Sequence, residues 1–389
     1  MGRDHEIIIA GAGPAGALTA ALLAARGRDV LLLDKSSFPR HKACGNALPA
    51  GVSDILVEAG LRDQVEEAFL RSEFYLVEQA RLVSPRGHHL VTSLSKSKRG
   101  YSPCVSNRYF FDLLLQQHAI RAGALFKQLK VEKPEIENGH VTGVQVSGKE
   151  YSGQIRAGIV VDAEGVNSAL GRVLRGTNRH LPAHRAVAAR AYIEDIRLTP
   201  REVEFYLYKD ILPGYAWIFP CGENRANIGL GMRLDYYRRS GVNLKDMLMG
   251  FMGLPAIEKR LVNCGKVSSI ASWPLNFGSQ KNLQYAFNGA LLVGDAAGFI
   301  NPLTGGGIHA SLVSALLAAQ VIDEALKRGD TSKAGLQQYE RMCRDLILKD
   351  LRKSYYLQEV LLRFPFLLDF MAGPLHKNRA AARAISRNF

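Results

Sequence analysis

Apolar runs broken by glycine open the chain. Residues 6–10 form a short apolar run that reads as a buried strand. Residues 14–26 are rich in Ala and Leu, predict a helix, and stop at Gly27. Residues 29–34 form a second apolar strand, so the chain begins as a βαβ unit. After a loop at 35–49, the spacing predicts two helices over 50–70. Strands and loops follow from about 74 to 105, with Ser84-Pro85-Arg86-Gly87 as a turn. An amphipathic helix is expected over 107–122, capped by Ser106 or Asn107, then strands at 125–130, 141–146 and 155–162. Residues from about 187 to 272 are strand-like, including 203–208, 215–220 and 225–232, with a helix near 244–250. A buried strand at 290–293 precedes a long Ala/Leu/Ser helix at about 307–327. Residues 332–389 are helical and basic.

This order predicts an α/β protein. A Rossmann-type, discontinuous dinucleotide domain takes 1–72, 100–182 and 284–330. A strand-rich α+β substrate domain takes 73–99 and 183–283, and a basic helical region takes 331–389. A length of 389 residues suits two intimate domains. Hydrophobic content of 47% and charged content of 22% exclude disorder as the default. The formal charge of +14 favours an anionic partner or a solvated basic face. No helix-turn-helix, RNP or zinc-knuckle pattern is present, so no nucleic-acid partner is expected. The cysteines, Cys44, Cys104, Cys221, Cys264 and Cys343, are scattered without a CxxC. That argues against a disulfide framework or a zinc site and for a reducing compartment. No signal peptide and no uninterrupted apolar stretch of about 20 residues is evident. A cytoplasmic protein, or one peripheral on the inner membrane face, is expected.

Residues 11–16, Gly-Ala-Gly-Pro-Ala-Gly, sit between a strand and a helix. Gly11 permits the turn, Gly13 admits a pyrophosphate, Pro14 and Ala15 start the helix, and Gly16 lets it pack on the strand. Asp34 ends the second strand at the spacing of a ribose-binding acid. Asp295 and Gly298 belong to residues 291–298, Leu-Leu-Val-Gly-Asp-Ala-Ala-Gly, which resembles the GDAAG segment of large flavoproteins. There the Asp binds the ribityl chain of FAD. Asn301-Pro302-Leu303-Thr304-Gly305-Gly306-Gly307 then leads into the long helix at Ile308, whose N-terminus would stabilise negative charge on a reduced ring. Val161-Asp162-Ala163-Glu164-Gly165 is similar to the DG segment of the same superfamily, with Glu164 in place of its second Asp.

Pro39-Arg40-His41-Lys42-Ala43-Cys44-Gly45 resembles the PxxKxCG loop of the geranylgeranyl reductase family, within the para-hydroxybenzoate-hydroxylase-like flavoproteins. Residues 212–220, with Gly229-Leu230-Gly231, resemble that family's YxWxFP…GxG segment, and Asn301-Pro302-Leu303-Thr304-Gly305 its flavin-proximal turn. The likeness runs from residue 7 to about 320. Asn46-Ala47 stand where the family commonly has further glycines. The resemblance implies FAD, held by the glycine turn and Asp34 with Lys35, Lys42, Cys44, Gly45, Arg108, Asp295, Gly298, Gly305, Gly306, Gly307 and Ile308. It implies Cys44, Tyr215 and Trp217 as catalytic residues, and a substrate contact by Tyr215, Trp217, Phe219 and Pro302. The activity implied is hydride reduction of isolated alkenes in an isoprenoid lipid. NAD(P)H or ferredoxin would be the electron donor, and no metal is implied.

Blander readings stand beside these. Tyr215, Trp217 and Phe219 alternate, so they share one strand face, which would wall an apolar slot or simply fill a core. Cys44 is either an inert thiol or a proton donor whose pKa Arg40 and Lys42 depress. Arg108 lies near FAD phosphates or faces solvent. In the tail, Arg341, Arg344, Lys349, Arg352, Lys353, Arg363, Lys377, Arg379, Arg383 and Arg387 flank Leu361, Leu362, Phe364, Phe366, Leu367, Leu368, Phe370 and Met371. That pattern suits an interfacial membrane helix or a helical cap. A flavin monooxygenase is the alternative activity. A halogenase is disfavoured, because its usual WxWxIP segment is absent.

Overall fold

The computed structural model describes residues 4–176, 179–262 and 264–372. Its first layer is an eight-stranded sheet. Strands Leu125–Gln128, Val30–Asp34, His5–Ala10, Gly153–Asp162 and Ala290–Leu292 run parallel in that order, and Ala286–Phe287 closes the edge antiparallel. Ile7, Ile8, Ile9, Leu31, Leu32 and Leu33 are fully buried, as parallel strands covered on both faces must be. The segment expected as one strand over 125–130 ends at Gln128. A separate strand, Lys130–Glu137, then pairs antiparallel with His140–Ser147. Its charged alternation, Lys-Val-Glu-Lys-Pro-Glu-Ile-Glu, hid it.

Helix Pro14–Ala24 is buried along nearly its whole length. Its small Ala and Gly residues let it lie between helix Arg108–Arg121 and helix Ile308–Arg328. The latter is long and apolar enough to cross a membrane by length and composition, yet most of it is buried within the fold. Asn107 caps the former through Tyr109 N–H.

The second layer is a seven-stranded sheet. Its order is Ala271–Asn276, Arg185–Glu194, Arg225–Arg233, Tyr215–Pro220, Glu202–Tyr206, Gln79–Val83 and His89–Ser93. Gly229 and Gly231 face Trp217 and Tyr215 directly across the central pair. The C-terminal region is helical through Lys349–Arg363 and Phe366–Ala372, broken where Pro365 removes an amide donor. Lys377, Arg379, Arg383, Arg387 and the Met371 side chain lie outside the described residues.

Candidate active site

At the carboxyl end of the interior strand His5–Ala10, Gly11 has φ 103°, and a β-carbon there would stand 2.3 Å from the Ala163 carbonyl oxygen. At Gly16 it would stand 1.9 Å from the Gly11 oxygen, so neither position tolerates a side chain. Pro14 opens the helix, and no side chain caps its N-terminus, so the first amides, beginning at Ala15, face the groove. The Asp34 carboxylate accepts from Ala12 N–H and Ser36 N–H, both at 2.9 Å, and thereby clamps the turn. Lys35 is exposed at the rim.

Arg40 crosses this groove. Its Nη2 lies 3.8 Å from Asp34 and 3.7 Å from the point where a Gly13 β-carbon would stand. Its Nη1 lies 3.3 Å from Asp112, and its buried Nε has no hydrogen-bond partner. An open helix N-terminus, an unmet guanidinium N–H beside Gly13 and a strand-end carboxylate are the donor and acceptor set that a dinucleotide requires, so the residues fit FAD. Arg108 is buried and forms two bonds to Asp112, at 2.6 and 2.8 Å.

Beyond the groove lies a cavity of about 620 Å³. Lys42, Cys44, Gly45, Arg108, Tyr215, Trp217, Phe219, Asp295, Pro302, Gly305, Gly306, Gly307 and Ile308 line it. Gly11, Gly13, Pro14, Ala15, Gly16, Asp34, Lys35 and Gly298 are not part of that lining. Gly298, at φ 85°, ends the short helix Gly294–Ala297, and a β-carbon there would stand 2.5 Å from His180 Nε2. Lys42 Nζ stands 3.8 Å from Asp295, and burial pushes its pKa down against the pull of that carboxylate. The two cations expected to bias Cys44 are thus turned to other partners: Arg40 to Asp34 and Asp112, Lys42 to Asp295. Asn46 N–H donates to Cys44 Sγ at 3.3 Å.

The aromatic strand is tied to everything around it. Tyr215, Trp217 and Phe219 share a face, with neighbouring ring centres 5.9 Å apart. Tyr215 Oη donates to the Thr304 carbonyl, joining the strand to the glycine turn before Ile308. Trp217 Nε1 donates to Asn227 Oδ1 at 2.9 Å, and Asn227 Nδ2 donates to the Cys44 carbonyl at 2.7 Å. Gly45 lies close over Phe219, whose ring would be 3.3 Å from a β-carbon, a tight contact. Asn227, Gln358 and Trp273 were not anticipated. A lone Asn inside an apolar strand was the available signal for the first.

Glu164 serves the backbone. Its Oε2 accepts from Ala169 and Leu170 N–H at 3.0 and 3.1 Å, capping helix Ala169–Arg175 beside buried Asp162. Ser168 Oγ donates to both carboxylates. Among the described residues no cluster of three His, Cys, Asp or Glu side chains is placed to hold a metal, and all five cysteines are free.

The FAD binding domain family matches residues 4–354. The chain is 32% identical over 369 residues to the digeranylgeranylglycerophospholipid reductase of Methanocella arvoryzae, covering 92% of this chain and 88% of that one. It is 26% identical to the structure of a geranylgeranyl bacteriochlorophyll reductase-like protein from Thermoplasma acidophilum, with a TM-score of 0.84 over 98% of this chain and 95% of that one. The myxobacterial chondrochloren halogenase shares the fold at 23% identity and a TM-score of 0.74, over 92% of this chain and 82% of that one.

Proposed function

This chain belongs to the geranylgeranyl reductase family of FAD-dependent oxidoreductases, and on that premise we propose that it saturates isolated double bonds of a prenyl lipid. Bound and reduced, FAD supplies hydride for such a saturation. The glycine turn at Gly11, Gly13 and Gly16, with Arg40 and Asp34, would hold its pyrophosphate and ribose. Lys42, Asp295 and the Gly305-Gly306-Gly307 turn would line the rest.

One observation carries the reading: three aromatic side chains of a single strand wall the same cavity that the Cys44 loop and the glycine turn enter. An apolar slot of that kind places an alkene and excludes water. Cys44, half-buried at its wall, would pass a proton to the second alkene carbon. The dinucleotide part positions the cofactor and the seven-stranded sheet positions the lipid.

The electron donor is a nicotinamide cofactor or a ferredoxin; stopped-flow bleaching of the flavin by each separates them. The lipid would be taken from a membrane surface. Phe364, Phe366 and Phe370 are exposed on the last helices beside Arg363, which suits contact with anionic lipid. The reading is tested by incubating reduced protein with a geranylgeranyl lipid and measuring product mass with and without air. Added hydrogen pairs without air support it. Added oxygen that appears only in air would make it a monooxygenase.

A further inference from the structure

Strand Arg185–Glu194 reads Arg-Ala-Val-Ala-Ala-Arg-Ala-Tyr-Ile-Glu, so Arg190 is a charge amid apolar neighbours. It is 9% exposed and lines the cavity. Its Nε is buried without a hydrogen-bond partner, and among the described residues no carboxylate pairs with it. Its guanidinium carbon lies 4.5 Å from the centre of the Tyr192 ring. The Arg225 guanidinium lies over the same ring at 4.9 Å, is exposed, and among the described residues also has no ion pair. Two guanidiniums thus contact one ring, and among the described residues no carboxylate pairs with either. A buried guanidinium left in that state is costly, and an anion entering the cavity relieves it.

The sheet register links this charge to the apolar slot. Trp217 stands opposite Gly229, and Gly229 opposite Arg190, so all three share one face. Two strand spacings separate the Trp217 and Arg190 backbones by about 10 Å. A β-carbon at Gly229 would stand 2.3 Å from Trp217 Cζ2, so the indole lies across the intervening strand toward the arginine row.

We propose that Arg190 holds the phosphate of a phosphate-bearing prenyl substrate whose chain lies on the Tyr215, Trp217 and Phe219 face. This rests on the prenyl reductase reading and deepens it. A planar guanidinium fork matches a phosphate in geometry and charge, and selects prenyl phosphates and phospholipids over neutral prenyl alcohols. A nicotinamide donor carries phosphate too, so the test separates the two sources.

Binding is measured on oxidised holoenzyme, from the perturbation of the flavin spectrum, with geranylgeranyl phosphate and geranylgeraniol as probes. Arg190→Gln is expected to weaken the phosphate about 10- to 100-fold and leave the alcohol within about twofold, with Arg190→Lys recovering part of the loss. In the unmutated protein, inorganic pyrophosphate is expected to compete with the phosphate and spare the alcohol. Unchanged phosphate binding, equal weakening of both lipids, or pyrophosphate without effect overturns the assignment. So does an Arg190→Gln variant impaired only in flavin reduction by NADPH, which would give the anion to the donor. Failure of the reduced, unmutated protein to turn over either lipid would sink the reductase reading instead, and leaves the binding result to stand on its own.

Discussion

Asn46 has φ 73°, where a β-carbon crowds the backbone and Gly or Asn is favoured. This suits an asparagine where the resemblance leads one to expect glycine. Its Nδ2 also donates to Tyr192 Oη at 2.7 Å, a bond that glycine lacks. Asn46→Ala keeps the strain and loses the bond, so it is expected to cost about 1–3 kcal/mol in chemical denaturation and more than Asn46→Gly. Equal losses would remove backbone strain from the explanation. Cys44→Ser preserves the acceptor for Asn46 N–H. It is expected to retain flavin and to lower turnover about 100-fold if the thiol donates the proton; an unchanged rate would leave it a packing residue. Burial, followed by mutual repulsion, raises the Glu164 carboxyl to about 7, and burial raises Asp162 to about 6. An acid that binds its proton more tightly when folded stabilises the fold at low pH. That contribution fades as pH rises from about 4.3, the unfolded Glu value, through about 7. Glu164→Gln is therefore expected to flatten the stability profile across that window and to gain on the order of 1–2 kcal/mol at pH 8. A parallel profile would show that the pair does not titrate there.

At the scale of elements, the cavity is assembled from parts that hold one another. Gln358 on helix Lys349–Arg363 is 4% exposed, and its Nε2 donates to the carbonyls of Pro302 at 2.7 Å and Pro213 at 3.3 Å. One amide thus joins the C-terminal helix to the turn before Ile308 and to the turn before the aromatic strand. Asn301 Nδ2 donates to Ser354 Oγ at 3.0 Å, and Arg233 pairs with Asp235 and Glu359. Through Arg363 the helix is a cap on the cavity. Gln358→Leu leaves two carbonyls without their donor, and is expected to cost about 1–3 kcal/mol and to loosen flavin retention on dialysis. Flavin retention equal to that of the unmutated protein would show that the helix only covers the site.

At the scale of the molecule, the proposed membrane contact would draw on both the +14 charge and the exposed apolar side chains at the C-terminal end. Helix Phe366–Ala372 is held to the hairpin turn at residues 84–87 by Asp369, which accepts from Ser84 Oγ at 2.7 Å and Arg86 N–H at 3.0 Å. Phe366 and Phe370 nonetheless stay 60% and 55% exposed, so this anchoring does not cover them. The double variant Phe366→Ser, Phe370→Ser is expected to lower sedimentation with anionic vesicles by about tenfold and to leave thermal stability within about 0.5 kcal/mol. Binding by the unmutated protein should weaken as salt rises from about 0.05 to 0.5 M. Vesicle binding that ignores both changes would place the contact elsewhere.

By itself the sequence determined the dinucleotide layer and pointed to the Cys44 loop, the aromatic strand and the glycine turn that border the cavity. Strand-to-helix glycine turns, an acid at a strand end and alternating aromatics are local patterns whose geometry follows from a few consecutive residues. The same locality kept other features out of sight. Lys130–Glu137 forms a strand because its neighbour pairs with it, against its own charged alternation. Arg40 reaches Asp112 across 72 positions, and Asn227 meets the Cys44 carbonyl across 183. Arg190 comes into line with Trp217 only through a sheet register shared by three strands. Tertiary structure decided these, because burial and hydrogen-bond completion are settled by whichever groups the packed layers bring together, however far apart they lie along the chain.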